Sequence, residues 1–288
     1  MAMLPLNADG RLYHLGLKRG ELAPRILTVG DYGRAERIAK ESLKNIVFQH
    51  TSDRGFSTWT GYFDGELVSI VSIGMGLPMM DFMLREARTI VDGPMAVIRF
   101  GTCGSLNAED EIGSICVSTA SCLVSRNPNY FIAKRSSASS KTTTPYAVSE
   151  LEQSDTSLTS LLLSSLSEEK EVVAVSGINA TADSFYSSQG RRVGDPASNT
   201  LYFVDENEEL IDSLTRSTHP VRTLEMETFQ LLHLANCAST TKIHATAMVM
   251  IVANRPKNLF AFSDERKELL ERIAGRCALQ ALSKQSLL

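Results

Sequence analysis

Six apolar, β-branched runs recur along the chain, at residues 26–29, 67–73, 95–100, 112–117, 172–176 and 243–253. Between and after them, residues 33–42, 79–91, 157–166, 206–214, 227–238 and 263–283 carry apolar side chains three and four positions apart. The first pattern predicts strands and the second amphipathic helices. Strand alternating with helix leaves few options, namely an α/β fold with a mostly parallel or mixed sheet covered by helices on both faces. At 288 residues and 43% hydrophobic, the chain can bury a large core. No repeat and no break in composition marks a second domain, so residues 1–288 are expected to form one. A Ser/Thr-rich stretch within residues 126–160 cannot build core and predicts an excursion, or else a linker; residues 195–202 predict a shorter excursion.

Charge and cysteine usage narrow the class. The net charge is −4 with no basic stripe, which argues against a nucleic-acid surface. No apolar run approaches the roughly 20 residues of a membrane span. The opening Met-Ala-Met-Leu-Pro-Leu lacks the basic head and apolar core of a signal peptide, so a cytoplasmic location is expected. Five cysteines (Cys103, Cys116, Cys122, Cys237, Cys277) show no Cys-x-x-Cys spacing and read as reduced thiols. His50, His219, His233 and His244 show no metal-ligand spacing, and no metal site is predicted. His14 lies in an apolar stretch, where a lone histidine is usually structural.

Four polar constellations sit at the ends of these elements. Residues 95–104 read Met-Ala-Val-Ile-Arg-Phe-Gly-Thr-Cys-Gly, an apolar strand running into Arg99 and a glycine-bracketed Thr102. A strand covered on both faces stays apolar until it opens into a crevice, the usual ligand position of an open α/β sheet. Gly101 and Gly104 would let backbone approach a ligand, and the combination suits an anion such as phosphate. The alternative is an arginine paired with a carboxylate. Cys103 lies within this segment, but no neighbouring His-Asp spacing supports a nucleophile. Upstream, Val-Gly-Asp-Tyr-Gly-Arg ends a strand at Gly30 and opens a helix near Gly33 and Arg34. Free helix-start amides and Arg34 favour an anion, and an N-cap aspartate with a solvated arginine is the plainer reading. In Phe-Tyr-Ser-Ser-Gln-Gly-Arg, Gln189 and Arg191 would face one way if extended, matching the edge of a pyrimidine-dione, with Phe185 placed to stack. A polar surface loop is the alternative. Glu225-Met226-Glu227 opens a helix, where its acids would serve the helix dipole or grip sugar hydroxyls while Met226 lies against the ring.

In order along the chain stand Tyr-His-Leu-Gly, Val-Gly-Asp-x-Gly-Arg, Ser-Thr-Trp at Trp59, Arg-x-Gly-Thr-x-Gly, Phe-Tyr-x-x-Gln-x-Arg, Glu-Met-Glu and Val-Ala-Asn-Arg. Together they resemble the nucleoside phosphorylase-I family over nearly the whole chain, and within it the uridine phosphorylase branch. The wording of the Phe-Tyr-Ser-Ser-Gln-Gly-Arg motif is closest to protozoal members. The resemblance implies a mixed, distorted barrel-like sheet flanked by helices, and a pentosyltransferase that cleaves uridine reversibly with phosphate to uracil and ribose 1-phosphate. Deoxyuridine and thymidine are candidate further substrates of such an enzyme, and the motifs do not choose among them. Gly30, Arg34, Arg99 and Thr102 match its phosphate positions, and Arg54 matches an arginine reaching a neighbouring subunit's phosphate. His14 matches a histidine contacting the ribose across the same interface. Met226 and Glu227, with Glu225 beside them, match the ribose grip; Phe185, Gln189 and Arg191 match the base pocket. A homo-oligomer with a shared site follows, using phosphate as co-substrate and no organic cofactor or metal.

Two departures favour a dimer over a bacterial-type hexamer. Gly55 stands where bacterial members carry a cation-binding glutamate, and the Ser/Thr-rich excursion is longer than theirs. Purine-cleaving relatives of this fold carry an aspartate after the late strand; Asn254 here implies a pyrimidine. Residues 257–263 would be a water-excluding lid or an ordinary connector. A purine or other nucleoside phosphorylase, a nucleosidase, and a silent nucleoside-binding protein are the alternatives.

Overall fold

The computed structural model describes residues 4–136, 144–260 and 263–287. Strand β1 (Arg25–Val29) leads into helix α1 (Tyr32–Ser42), followed by β2 (Lys44–Thr51), β3 (Ser57–Phe63) and β4 (Glu66–Ser72). Helix α2 (Leu77–Ile90) precedes the long strands β5 (Met95–Ser105) and β6 (Ile115–Arg126). Helix α3 (Pro128–Ser136), the short strands β7 (Tyr146–Val148) and β8 (Glu152–Gln153), and helix α4 (Thr156–Ser167) come next. Strand β9 (Ala174–Ala182) runs into a 3₁₀ turn (Ser187–Gln189) and the hairpin of β10 (Gly194–Asp195) and β11 (Thr200–Leu201). Helix α5 (Leu210–Thr215), β12 (Val221–Glu225), α6 (Thr228–Asn236), β13 (Ile243–Asn254) and α7 (Asp264–Lys284) complete the chain.

The main sheet runs β12-β9-β6-β13-β5-β1-β4-β3-β2, and β12 also pairs with β5. Five strands therefore close into a ring, and the other four extend from it as an open wing. The sheet is mixed, with β1, β4, β5 and β13 parallel to their neighbours at the centre and antiparallel pairs at β2–β3, β3–β4, β6–β13 and β5–β12. This is the distorted barrel-like α/β arrangement that the motifs imply.

Alternation along β5 sorts its side chains between two cores. Ala96, Ile98 and Phe100 join a core closed by α1, α4 and α7. Met95 and Val97 join the opposite core, under α2, α6 and the N-terminal residues Leu12, Leu15 and Leu17. Arg99 continues that second face, toward the start of α6. In α7, whose apolar spacing alone predicts a helix, Ala274, Cys277, Ala278 and Leu282 are fully buried against the sheet.

Several boundaries differ from expectation. Strands β5, β6 and β9 run on through polar and glycine residues, because pairing on both edges holds them extended where side-chain pattern does not. Strands β2, β3 and β12 carry no clear apolar alternation; β2 is an edge strand with mostly exposed residues. Much of the expected 126–160 excursion is ordered as α3, β7 and β8, the latter two paired on β6, and its residues 137–143 lie outside the described residues. No helix among the described residues is long and apolar enough to cross a membrane.

Candidate active site

Strand β5 is paired along one edge by β13 over its whole length. On the other edge β1 pairs it as far as Phe100, and β12 takes over only at Gly104. Residues 101–103 are left without a strand partner there. β1 ends at this gap just before Gly30, and β12 ends at it in Glu225, so the break in pairing is what gathers the polar segments. A cavity of about 380 Å3 occupies it. Gly30, Arg34, Arg99 and Thr102 line one part, Glu225, Met226 and Glu227 a second, and Phe185, Gln189 and Arg191 a third.

Arg99 is 5% exposed, with its guanidinium folded over Gly101; a Cβ at that glycine would collide with it. Gly104 similarly clears the stem of Arg255. These glycines thus make room for arginines, which revises the expectation that they serve ligand approach. Arg99 Nη2 pairs with Glu225 at 3.0 Å and bonds Glu227, so the carboxylate alternative also holds. Its Nη1 is buried with no hydrogen-bond partner, an orphan donor that calls for an acceptor. Burial alone would weaken the charge, but Glu225 and Glu227 raise the guanidinium pKa above its ordinary value. Arg34 is not solvated as the plainer reading held: Nε donates to Glu271 at 3.0 Å and Nη1 to the Phe100 carbonyl at 3.2 Å. Asp31 does cap α1, accepting from the Arg34 amide at 2.8 Å.

The two glutamates divide their tasks. Glu225 accepts from Asn179 Nδ2 at 2.7 Å, Thr181 Oγ1 at 2.5 Å, and the Glu227 and Thr228 amides at 2.9 and 3.1 Å. It caps α6 and braces Arg99, with little capacity left for a sugar. Burial pushes its carboxyl up, but Arg99 and these donors outweigh that and hold it below the usual glutamate value. Glu227 accepts from the Gly76 amide and Arg99. Burial and the charge of Glu225 lift it above the usual value despite Arg99.

The stretch carrying Gln189 and Arg191 is not extended: it is the 3₁₀ turn, closed by Gly190 at φ +64°. The two side chains meet nonetheless. Arg191 Nη1 donates to Gln189 Oε1 and to the Phe185 carbonyl at 3.0 Å, with its guanidinium 4.2 Å from the Phe185 ring centroid. Arg255 Nη1 donates to the Gln189 carbonyl at 2.5 Å. Burial, then the charge of Arg191, pushes Arg255 down to about 10, and burial also lowers Arg191. Neither arginine has a carboxylate partner among the described residues, which leaves this corner electropositive.

His14 and Arg54 lie outside the cavity lining. His14 Nδ1 sits 2.5 Å from buried Glu86, its ring stacked on Phe82, and Arg54 packs over the ring of adjacent Tyr13. Cys103 lines the cavity, but burial drives its thiol well above the ordinary value, keeping it a protonated, poor nucleophile.

Comparison with known proteins matches residues 24–282 to the model of the phosphorylase superfamily. The chain belongs to the phosphorylase superfamily. It is 29% identical over 268 residues to a uridine phosphorylase of Thermococcus kodakarensis, covering 92% of this chain and 86% of that one. It is also 36% identical to a DeoD-type purine nucleoside phosphorylase of Caldanaerobacter subterraneus, over 104 residues and 36% of the chain. Among solved structures, a uridine phosphorylase of the oomycete Phytophthora capsici aligns with a TM-score of 0.87 at 38% identity, covering 99% and 98% of the two chains. A Trypanosoma brucei nucleoside phosphorylase shares the fold, with a TM-score of 0.77 at 22% identity over 98% and 100% of the chains.

Within this superfamily fold, some cavity residues escape sequence reasoning. Gly74 and Met75 line the rim, and Gly76 after them delivers its amide to Glu227; the available signal was a strand followed by Gly-Met-Gly and by Pro78 at a helix start. Arg255 stood in a motif without a role. Conversely, Asn254 does not face the cavity. It is 1% exposed, and its Nδ2 donates to the carbonyls of Asn107, Ala108 and Asp110 at 3.2, 3.1 and 2.7 Å. It stitches a loop, and its amide is not presented to the cavity as the expectation of a base-selecting position requires. Phe260 of the candidate lid lines the cavity at 70% exposure; residues 261–262 lie outside the described residues. In a larger open hollow of about 990 Å3 beside α3, two of the three lining cations are engaged, Arg126 with Asp205 and Lys134 with Glu206.

Proposed function

We propose that this protein is a uridine phosphorylase, catalysing reversible phosphorolysis of uridine to uracil and ribose 1-phosphate. The observation that carries the proposal is the layout of one cavity: an orphan Arg99 donor beside Arg34 and Thr102 at one side, an electropositive Gln189–Arg191 corner at the other, and Glu227 with Met226 between. Inorganic phosphate sits against Arg34, Arg99 and Thr102, under the ribose. Binding of phosphate draws Arg99 from Glu227, freeing that carboxylate to accept from the ribose 2′-hydroxyl.

One phosphate oxygen then attacks the anomeric carbon as the bond to the base nitrogen breaks. The sugar becomes cation-like, stabilised by the phosphate below it and by Glu227. The electron pair passes into the base, where its charge spreads to the carbonyl oxygens. Arg191 and Gln189 donate to that charge, and Phe185 covers the ring. Such a uracil edge presents both an acceptor and a donor, which suits an amide held by an arginine. Phosphate serves as co-substrate and no further cofactor enters the scheme. His14 and Arg54, held away from their own chain's cavity, complete the site of a second protomer in a homodimer.

Similarity to purine nucleoside phosphorylases over about a third of the chain supports a second reading, cleavage of a purine nucleoside by the same anion site. Uracil release from uridine, followed by absorbance with and without phosphate, tests the proposal, with inosine as the comparison substrate. Phosphate-dependent cleavage favouring uridine is expected, and Arg99→Ala should reduce it by roughly 10³-fold or more. Phosphate-independent cleavage, or preference for inosine, would overturn it.

A further inference from the structure

Glu271 lies on α7 with no solvent exposure, and it does not line the cavity. One of its oxygens meets Arg34 Nε at 3.0 Å and the other meets Arg37 Nη2 at 2.5 Å. Arg34 Nη1 is held by the carbonyl of Phe100, the last β5 residue paired with β1, and its guanidinium lies 5.0 Å from the Phe100 ring centroid. Two of its three nitrogens are therefore fixed from behind. Only Nη2 has no hydrogen-bond partner among the described residues, and Arg34 lines the cavity.

The helix packing makes this clamp possible. A Cβ on Gly275 of α7 would strike the side chain of Ile38 on α1 at 2.5 Å, so glycine there lets the two helices approach closely. Arg34 and Glu271 each stand four residues, about one turn, before that contact, and so are brought together by it. A buried carboxylate is costly unless paired, which makes its presence here informative. Surface salt bridges would have served stability at less desolvation cost.

We propose that Glu271 is a positioning residue for the oxyanion: it fixes the Arg34 guanidinium so that Nη2 faces the phosphate, without touching phosphate itself. This rests on the anion site proposed above. Charge and position predict opposite outcomes. A carboxylate acting only through its charge would repel phosphate, and neutralising it would tighten binding. A carboxylate acting by position would, when neutralised, release Arg34 from its geometry and weaken binding, because the charged contact that holds Nε from behind is lost.

Calorimetric titration of the full-length protein with inorganic phosphate decides between them, without any nucleoside. Glu271→Gln should raise the phosphate Kd at least about tenfold, and Glu271→Asp should recover part of that loss. Arg37→Gln, which removes the other partner of Glu271, should lower Tm but leave the phosphate Kd within about twofold. An unchanged or lower Kd in Glu271→Gln overturns the proposal. If Glu271→Gln does not fold, Glu271→Asp is decisive alone: a raised Kd supports the clamp and an unchanged one overturns it. Wild-type protein that binds no phosphate would instead overturn the anion site itself.

Discussion

At the scale of single residues, the site is governed by where carboxylates find compensation. Glu225 and Glu227 are two positions apart and both buried, yet one sits below the ordinary glutamate value and the other above it. Glu225 collects side-chain and amide donors, whereas Glu227 relies on Arg99 and the Gly76 amide while facing its neighbour's charge. A raised carboxyl means the folded protein binds a proton that the unfolded chain releases. Its contribution to stability is present below the unfolded value and falls as pH rises through the folded one. Glu227→Gln is therefore expected to melt no lower than wild type at neutral pH, and to lose roughly 10²-fold or more in kcat/KM. The acid limb of the wild-type kcat/KM profile, lying above the ordinary glutamate value, should vanish in the variant. Scanning Tm against pH for both proteins checks the sign; a wild type that gains stability over the variant as pH rises would contradict it.

Among the elements, β13 shows how a strand end acquires a structural task that composition hides. Asn254 closes the strand and spends its amide on three loop carbonyls, which are the kind of backbone acceptors that otherwise go unsatisfied. Asn254→Ala should destabilise the protein by about 1–3 kcal/mol in urea unfolding. The ratio of uridine to inosine cleavage should not change, since the side chain does not reach the cavity. A shift in that ratio without loss of stability would restore Asn254 as a base-reading residue. Helical elements were the more legible: α7 and α2 bury one face against a sheet, so their apolar spacing survives in the sequence. Strands β3 and β12 were not, because buried threonines and a short span carry no alternation.

For the whole molecule, the placement of Arg54 and His14 outside their own chain's cavity has a direct consequence. Arg54→Ala and Arg99→Ala are each expected to be inactive alone, by different defects. In a dimer with a shared site, mixing the two after dissociation should restore up to about a quarter of wild-type turnover, because half of the sites in each mixed dimer regain both arginines. Activity that stays at the level of the separate variants would confine the site to one chain. The amino-acid sequence by itself determined the α/β class, the order of the polar motifs and the chemistry each can offer, since these depend on local periodicity and side-chain type. Only the tertiary structure decided which of those groups converge. The gap in β5 pairing at residues 101–103, the Arg255 contact on the Gln189 carbonyl, and the Asn179 and Thr181 donors that set Glu225 apart from Glu227 all arise between elements distant in the chain. Pairing partners and desolvation are properties of the assembled sheet, and no local pattern encodes them.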